Sequence, residues 1–341
     1  MNSMERVLAT LAGKPLDRRV FAPVLGLYGA RLTNCPLEQY YNDPAAYTAG
    51  QSAVRETFRP DVLCAPLAFA AIGAAFGSEL TVLATESPNV RRPAIQSLEE
   101  WDSLVPPDPE KHPLLLYFRD TIRLMAAQHG SEMPIAMVIP IPMDIPAVIM
   151  GLENWLGTVL FDPDGAKRVM EMIIPLYVRL VNGFFAAGAT FVAMPCGFAS
   201  SAIVTREIVT NFTRPILAKV LAQLRGPVIL HNVGAPMLPY LDLLTGLPSV
   251  AAYIVDQRDD LAEARRLVGP DSVLFGGLDC TTIGQMTVAE VDERCRAILE
   301  ERRHDPRFVL GTSGPDVSWN TPPENIHAMR KAVESFGRID A

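Results

Sequence analysis

Eight short apolar runs punctuate the chain: FAPVLG (21–26), DVLCAP (61–66), IAMVIP (135–140), FVAMPC (191–196), VILHNV (228–233), AAYIVD (251–256), VLFGGL (273–278) and FVLGTS (308–313). Longer segments with apolar residues at helical spacing lie between them. The runs are near-continuously hydrophobic rather than alternating, as strands covered on both faces of a parallel sheet are. Helix starts are well marked. Asp162 stands as an N-cap before Pro163 in the first helical position. The segments TVAE (287–290), TPPE (321–324) and SLEE (97–100) fit the Ser/Thr-x-x-Glu capping box. The stretch MNSMERVLATLAGK predicts a short amphipathic helix ahead of the first strand.

Eight strand–helix alternations over 341 residues predict an α/β fold, a (β/α)8 TIM barrel forming a single domain over 1–341, with an N-terminal helical extension. Segment 67–134 is longer than one βα unit needs and predicts an extra excursion over the barrel mouth. The alternative, a doubly wound open sheet, lacks support. No Gly-x-Gly-x-x-Gly follows a strand, and GLYGAR (26–31) is a poor match.

The formal net charge is −8 and no long lysine/arginine run occurs, which argues against a nucleic-acid or anionic-membrane surface. No stretch of 18 apolar residues predicts a membrane span, and the first residues lack the apolar core of a secretory signal. The 5 cysteines (35, 64, 196, 280 and 295) are odd in number and widely spaced, so they read as reduced thiols of a cytoplasmic protein.

In a barrel, chemistry gathers at the C-terminal ends of the strands. Those ends carry Cys196, His231, Asn232, Asp256, Asp279, Cys280, Thr312 and Ser313, with Met143 and Asp144 following the third strand. His231 reads either as hydrogen-bonded structure or as a ligand or acid–base group. Cys196 and Cys280 taken singly read as small buried hydrophobes. Together with His231 they make a three-ligand set with an open position, the arrangement of catalytic zinc. Asp256 and Asp279 read as solvated loop ends or as partners that orient a histidine. Met143, Asp144, Asn232, Ser313 and Trp319 are the substrate-binding candidates, Trp319 because its loop SGPDVSWNTPPE has enough glycine and proline to be shaped for a site. Cys64 lies inside a strand and Cys295 on a helix, so both read as structural.

Several blocks resemble one known family: RVLATLAGKPLDR, GLENWLGTVLFDP, GPVILHNVG, LFGGLDCTTI and FVLGTSGPDVSWNTPPENIHAM. The chain resembles the uroporphyrinogen decarboxylase superfamily over nearly its whole length, and within it the corrinoid-linked and coenzyme M methyltransferases more than the decarboxylases. The resemblance implies a (β/α)8 barrel with its site at the strand C-termini. Decarboxylases of the family carry two arginines in a run like RQAGR, where this chain has Leu25-Gly26-Leu27-Tyr28-Gly29, and an aspartate that falls on Ala68. A porphyrinogen needs both, so its decarboxylation is not expected here. Zinc methyltransferases of the superfamily use His-x-Cys and a later cysteine. His231 matches, but the cysteine positions hold Val233 and, further on, Ser313 or Gly314. Zinc relocated to Cys196 and Cys280, or loss of the metal, both remain open.

The resemblance implies a methyltransferase that moves a methyl group between a small O-, N- or S-methylated compound and a cobalamin held by a corrinoid-binding partner protein, with a homodimer also compatible. Zinc would act as a Lewis acid on the heteroatom. Without metal, His231 or Asp279 would protonate the leaving atom. Two alternatives stay open on the same barrel. One is a lyase or decarboxylase of a small organic acid using His231 with Asp256 or Asp279. The other is a non-catalytic ligand-binding barrel.

Overall fold

The computed structural model describes residues 1–338 and draws all eight apolar runs into one parallel sheet. In chain order the strands are β1 (Phe21–Ala22), β2 (Leu63–Leu67), a short antiparallel pair β3 (Glu79–Thr81) and β4 (Asn89–Arg92), then β5 (Ile135–Val138), β6 (Phe191–Pro195), β7 (Val228–His231), β8 (Val250–Ile254), β9 (Val273–Asp279) and β10 (Phe308–Ser313). The large sheet runs β1-β10-β9-β8-β7-β6-β5-β2, every pair parallel, and curls into the (β/α)8 barrel. Several strands are shorter than the apolar runs that predict them. β1 stops at Ala22 because Pro23 has no N–H to give a ladder. Beyond it, Val24 N donates to the Thr312 hydroxyl instead.

The two faces of the sheet hold different cores. Ala136, Ala193, Ile229, Ile254, Phe275 and Val309 belong to the cluster inside the barrel, small residues sharing the limited space with large ones. Their neighbours one position along, such as Met137, Val192, Met194, Leu230 and Leu310, pack outward under the helices. Burial on both faces is why the runs read as continuous.

The ladder has one seam, between β1 and β2, and side chains close it. Asp61 N donates to Phe21 O at 2.8 Å, while Phe21 N donates to Asp61 Oδ2 at 2.9 Å. The same carboxylate, fully buried, accepts from Arg6 Nη1 (2.7 Å), Arg18 Nη2 (2.9 Å) and Ser3 Oγ (2.9 Å). Higher up, Gln51 of the helix Pro44–Phe58 donates to Leu25 O (3.1 Å) and accepts from Cys64 N (3.3 Å), joining the two edges a second time. The N-terminal helix Ser3–Ala12 begins on a full capping box between Asn2 and Glu5 and sends Val7 into the inner core, so the helical extension plugs the barrel bottom.

Two further expected caps form. Asp162 accepts from Gly165 N at 2.9 Å ahead of Pro163, and Thr287 with Glu290 makes a complete box. The other two do not. Pro322, not Thr321, is the N-cap of the helix Pro323–Phe336, and the Thr321 hydroxyl is left without a partner. Ser97 precedes only a short 3-10 turn, Leu98–Ser103, and its side chain caps nothing. The helix Pro163–Ala187 is long and apolar enough to cross a membrane by length and composition alone, and here it buries Val169, Ile173, Leu180 and Phe184 against the rest of the protein. The expected excursion is present. The loop between β3 and β4 reaches the strand ends, where Ser87 Oγ lies 2.8 Å from the Tyr41 hydroxyl.

Replacing Asp61 by alanine takes a buried acceptor from Arg6, which keeps Asp17, and from Arg18, which keeps Arg19 O, and leaves Phe21 N–H without its partner. Urea unfolding of Asp61→Ala is expected to show a loss of about 3–5 kcal/mol, the usual cost of breaking a buried charge cluster from one side. A loss under about 1 kcal/mol, the range of an exposed pair, would mean that the seam closes without it.

Candidate active site at the barrel mouth

A cavity of about 490 Å³ opens at the C-terminal end of the strands. Tyr41, Tyr47 and Trp319 form much of its wall, with Leu67, Val138 and Val317 filling the gaps. Thr85, Glu86 and Ser87 of the excursion complete the rim. Below it, a narrow apolar space of about 50 Å³ continues into the barrel between Ala193, Ile229, His231 and Phe275. Val24, Cys64, Leu67, Val138 and Pro315 line both, so the two are consecutive along the barrel.

The charge of this cavity is one-sided. Among the described residues, no lysine, arginine or histidine lines it, and its only carboxyl side chains are Glu86 and Asp316. Glu86 is exposed to water. Asp316 is partly covered, and its two oxygens differ. Oδ2 accepts from Leu27 N at 2.8 Å, whereas Oδ1 is shut off from solvent and has no hydrogen-bond partner. Burial pushes its pKa up to about 7, against the opposing pull of backbone N–H groups, that of Leu27 first. The fit is close. A Cβ at Gly26 would lie 2.9 Å from Asp316 Oδ2 and 3.0 Å from the Tyr47 hydroxyl, so only glycine lets the chain pass. Tyr47 donates to Cys64 O at 3.0 Å and its ring packs 4.5 Å from that of Tyr40. Burial raises the pKa of both tyrosines and pushes the Cys64 thiol up to about 12, so these groups keep their protons at neutral pH.

Of the expected substrate-binding residues, only Trp319 lines this cavity. Met143 is fully buried and its carbonyl accepts from Trp155 Nε1 at 2.7 Å. Asp144 is buried too and spends both oxygens on backbone, accepting from Gly197 N (2.8 Å) and Phe198 N (2.7 Å). Burial raises its pKa to about 7 as well. Asn232 donates to Asp256 Oδ2 at 3.0 Å. Its Oδ1 and the Ser313 hydroxyl are buried without partners, but neither lines the cavity.

The expected zinc triad does not assemble. His231 points into the barrel, beside Ile229 and Phe275. Cys196 follows Pro195, which is in register with His231, and therefore faces the opposite way; its Sγ donates to Met194 O at 3.1 Å. Cys280 likewise packs outward, with burial holding its pKa up at about 12. Among the described residues, no three His, Cys, Asp or Glu side chains are placed to share a metal ion. The residues present therefore do not fit zinc at this position. His231 is buried and its pKa falls to about 4, so the ring is neutral at pH 7. Its Nδ1 faces Asn232 O, which makes that nitrogen the one carrying hydrogen. The two expected acidic partners lie elsewhere. Asp256 is held by Arg258 and Asn232, and Asp279 Oδ1 accepts from Thr281 N (2.9 Å) and Thr282 N (3.0 Å), capping the turn after β9.

Sequence reasoning missed Asp316, Tyr41, Tyr47 and the cavity-facing role of Cys64. The signal for Asp316 was at hand: it is a carboxylate inside the Gly-Pro loop that pointed to Trp319.

The uroporphyrinogen decarboxylase (URO-D) family model matches residues 2–336. The methylated-thiol–coenzyme M methyltransferase of Methanosarcina mazei is 24% identical over 225 residues, a match covering 65% of this chain and 58% of that protein. The methylcobamide:CoM methyltransferase MtaA of Methanosarcina barkeri is 19% identical over 343 residues, covering 97% of each. A solved methyltransferase from Methanosarcina mazei superimposes with a TM-score of 0.87 at 17% identity, covering 98% of this chain and 99% of that one. This last similarity carries the fold alone.

Two outcomes follow. Metal analysis by mass spectrometry is expected to give the same zinc content for the wild type, Cys196→Ala and Cys280→Ala. Loss of one zinc per chain in either variant would reinstate the triad. Secondly, a histidine whose folded pKa lies near 4 instead of 6.5 contributes stability that is present above pH 6.5 and lost as pH falls towards 4. Unfolding measured over that range should show the wild type losing about 3 kcal/mol relative to His231→Gln. Parallel curves would contradict the buried neutral ring.

Proposed function

Because the chain belongs to the uroporphyrinogen decarboxylase (URO-D) family, and its mouth is built for a neutral guest, we propose that it is a methyltransferase that passes a methyl group from a small uncharged methylated compound to a corrinoid held by a partner protein. The observation that carries this reading is the cavity lining: aromatic and aliphatic walls, two carboxyl groups and no cation. A porphyrinogen, ringed with carboxylates, would meet the Glu86 carboxylate and no counter-ion among the described lining residues. The volume of about 490 Å³ suits a small organic molecule. Two of the similar proteins are named as methyltransferases acting on coenzyme M. The sulfonate of coenzyme M would likewise meet the Glu86 carboxylate and no counter-ion here, which favours a neutral donor and transfer towards the corrinoid.

The corrinoid supplies the methyl-accepting centre when its carrier docks at the mouth. The chain's own contribution is binding and orientation. Trp319, Tyr41 and Tyr47 hold the donor by its apolar surface, and the excursion residues Thr85 to Ser87 narrow the opening. The tyrosine hydroxyls are already engaged, Tyr47 with Cys64 O and Tyr41 with Ser87, so these walls stay rigid and protonated. His231 and the apolar space beneath keep the floor of the site dry. No step runs through zinc.

Purified chain, incubated with reduced cobalamin and an uncharged methyl donor, is expected to convert the corrinoid to its methylated form, followed by its visible spectrum. Uroporphyrinogen should release no CO2. Turnover of the porphyrinogen, or no transfer from any neutral donor, would reject the reading. In the same assay Trp319→Ala should raise KM about tenfold with little change in kcat, as expected for loss of one aromatic contact.

A further inference from the structure

We infer that the mouth continues into a second, apolar subsite beneath the β3–β4 hairpin, which holds a further apolar group of the methyl donor, such as a second ring; that the guest is a methyl donor rests on the reading above. The geometry carries it. A side cavity of about 270 Å³ lies between the hairpin and the helices Ala70–Ala75 and Pro113–His129. Tyr41, Leu67 and Ser87 line both this cavity and the mouth, so the two abut along one wall. Leu67 also borders the narrow space under the mouth and stands where all three meet.

The side cavity differs from the mouth in charge. Among the described residues no charged side chain lines it, whereas the mouth has Glu86 and Asp316. Leu67, Phe69, Ala71, Leu80, Leu114 and Phe118 form most of its surface. Its polar groups are already engaged. The Tyr117 hydroxyl donates to Tyr40 O at 2.9 Å, Asn42 Nδ2 donates to Glu38 O at 2.7 Å, and Asn89 Oδ1 accepts from Val90 N at 2.8 Å. Such a lining rewards an entering group for its apolar surface alone. Val82 lines the cavity yet is 41% exposed, which leaves apolar surface for a guest to cover. An apolar cavity of about 150 Å³ is enough for benzene. A cavity of about 270 Å³ therefore has room for one ring, with the methoxy-bearing part left in the mouth.

The wall between the two spaces is thin. The Tyr41 hydroxyl and Ser87 Oγ, 2.8 Å apart, close it. The tyrosine side is fixed, since the Tyr41 ring lies 5.4 Å from that of Tyr40 and 6.1 Å from that of Tyr47. The serine side is held less firmly. Among the described residues, the contact with Tyr41 is the only side-chain hydrogen bond of loop 82–88. A guest that spans both cavities turns aside one serine hydroxyl and leaves the aromatic wall where it is.

Equilibrium dialysis of the full chain with methoxybenzene and with 4-methoxybiphenyl, which differ by one ring, tests this with no catalytic step. The wild type is expected to bind the biphenyl at least about tenfold more tightly, the gain from burying a ring. Ala71→Leu and Leu114→Trp fill the side cavity from two different helices, and each should bring that ratio below about threefold. Ser87→Ala removes the hydrogen bond to be displaced and should bind the biphenyl about threefold more tightly than the wild type. A ratio near one in the wild type would overturn the inference. So would a tenfold ratio that persists in both filled variants, because the second ring would then lie elsewhere. If neither filled variant folds, Ser87→Ala decides, and no tightening there counts against the subsite. Methyl transfer to reduced cobalamin is read separately. A wild type with the expected ratio that transfers from neither ether keeps the subsite and rejects the methyltransferase reading; transfer from both with a ratio near one does the reverse.

Discussion

Asp61 holds together the two edges of a sheet that has no ladder between them. Its backbone and carboxylate bridge to Phe21, and two arginines and a serine keep the charge in place. The mouth depends on this. The segment after β1 supplies Gly26 and Leu27, and β2 supplies Cys64 and Leu67, so one side of the cavity wall hangs on the two strands that meet at the seam. Gln51 repeats the bridge higher up, from Leu25 O to Cys64 N. Where Leu27 N is placed, Asp316 is placed, because one donates to the other. A structural carboxylate at the barrel bottom thus helps to place a second carboxyl, that of Asp316, at the top.

Much of the barrel was legible in the sequence. Continuous apolar runs announced strands buried on both faces, and Asp162-Pro163 and Thr287-x-x-Glu290 announced helix starts that the structure contains. The same continuity hid the site. A run that is apolar at every position carries no alternation, so it cannot say which residue points inward. Once Ile229 is known to face the interior, His231 must face it too, and the register with Pro195 sends Cys196 outward. The zinc triad joined residues by their position at strand ends, without this count. The misplaced cap at Thr321 has a different cause: the second proline, Pro322, moves the helix start by one residue. Asp316 was harder still, since its place depends on a loop that folds back to Leu27 across the chain.

Asp144 and Asp316 show why pKa alone does not find a working group. Burial raises both to about 7. Asp144 has both oxygens on backbone N–H groups and anchors the turn after β6. Asp316 lines a cavity large enough for a ligand, while its one unpartnered oxygen, Oδ1, is shut off from solvent. The difference lies in hydrogen-bond accounting, since an unpaired buried acceptor is costly unless something fills the need. The lack of cations completes the picture, because a guest that brought its own negative charge would compete with Asp316 for the same space.

The central claim is that this mouth selects an uncharged guest. Its most direct test is calorimetric titration of the full chain, at neutral pH, with methoxybenzene and with 4-methoxybenzoate, which differ by one carboxylate. The neutral ether should bind, and the carboxylate should bind at least about tenfold more weakly, a difference of about 1.4 kcal/mol. Equal or tighter binding of the carboxylate would contradict the account.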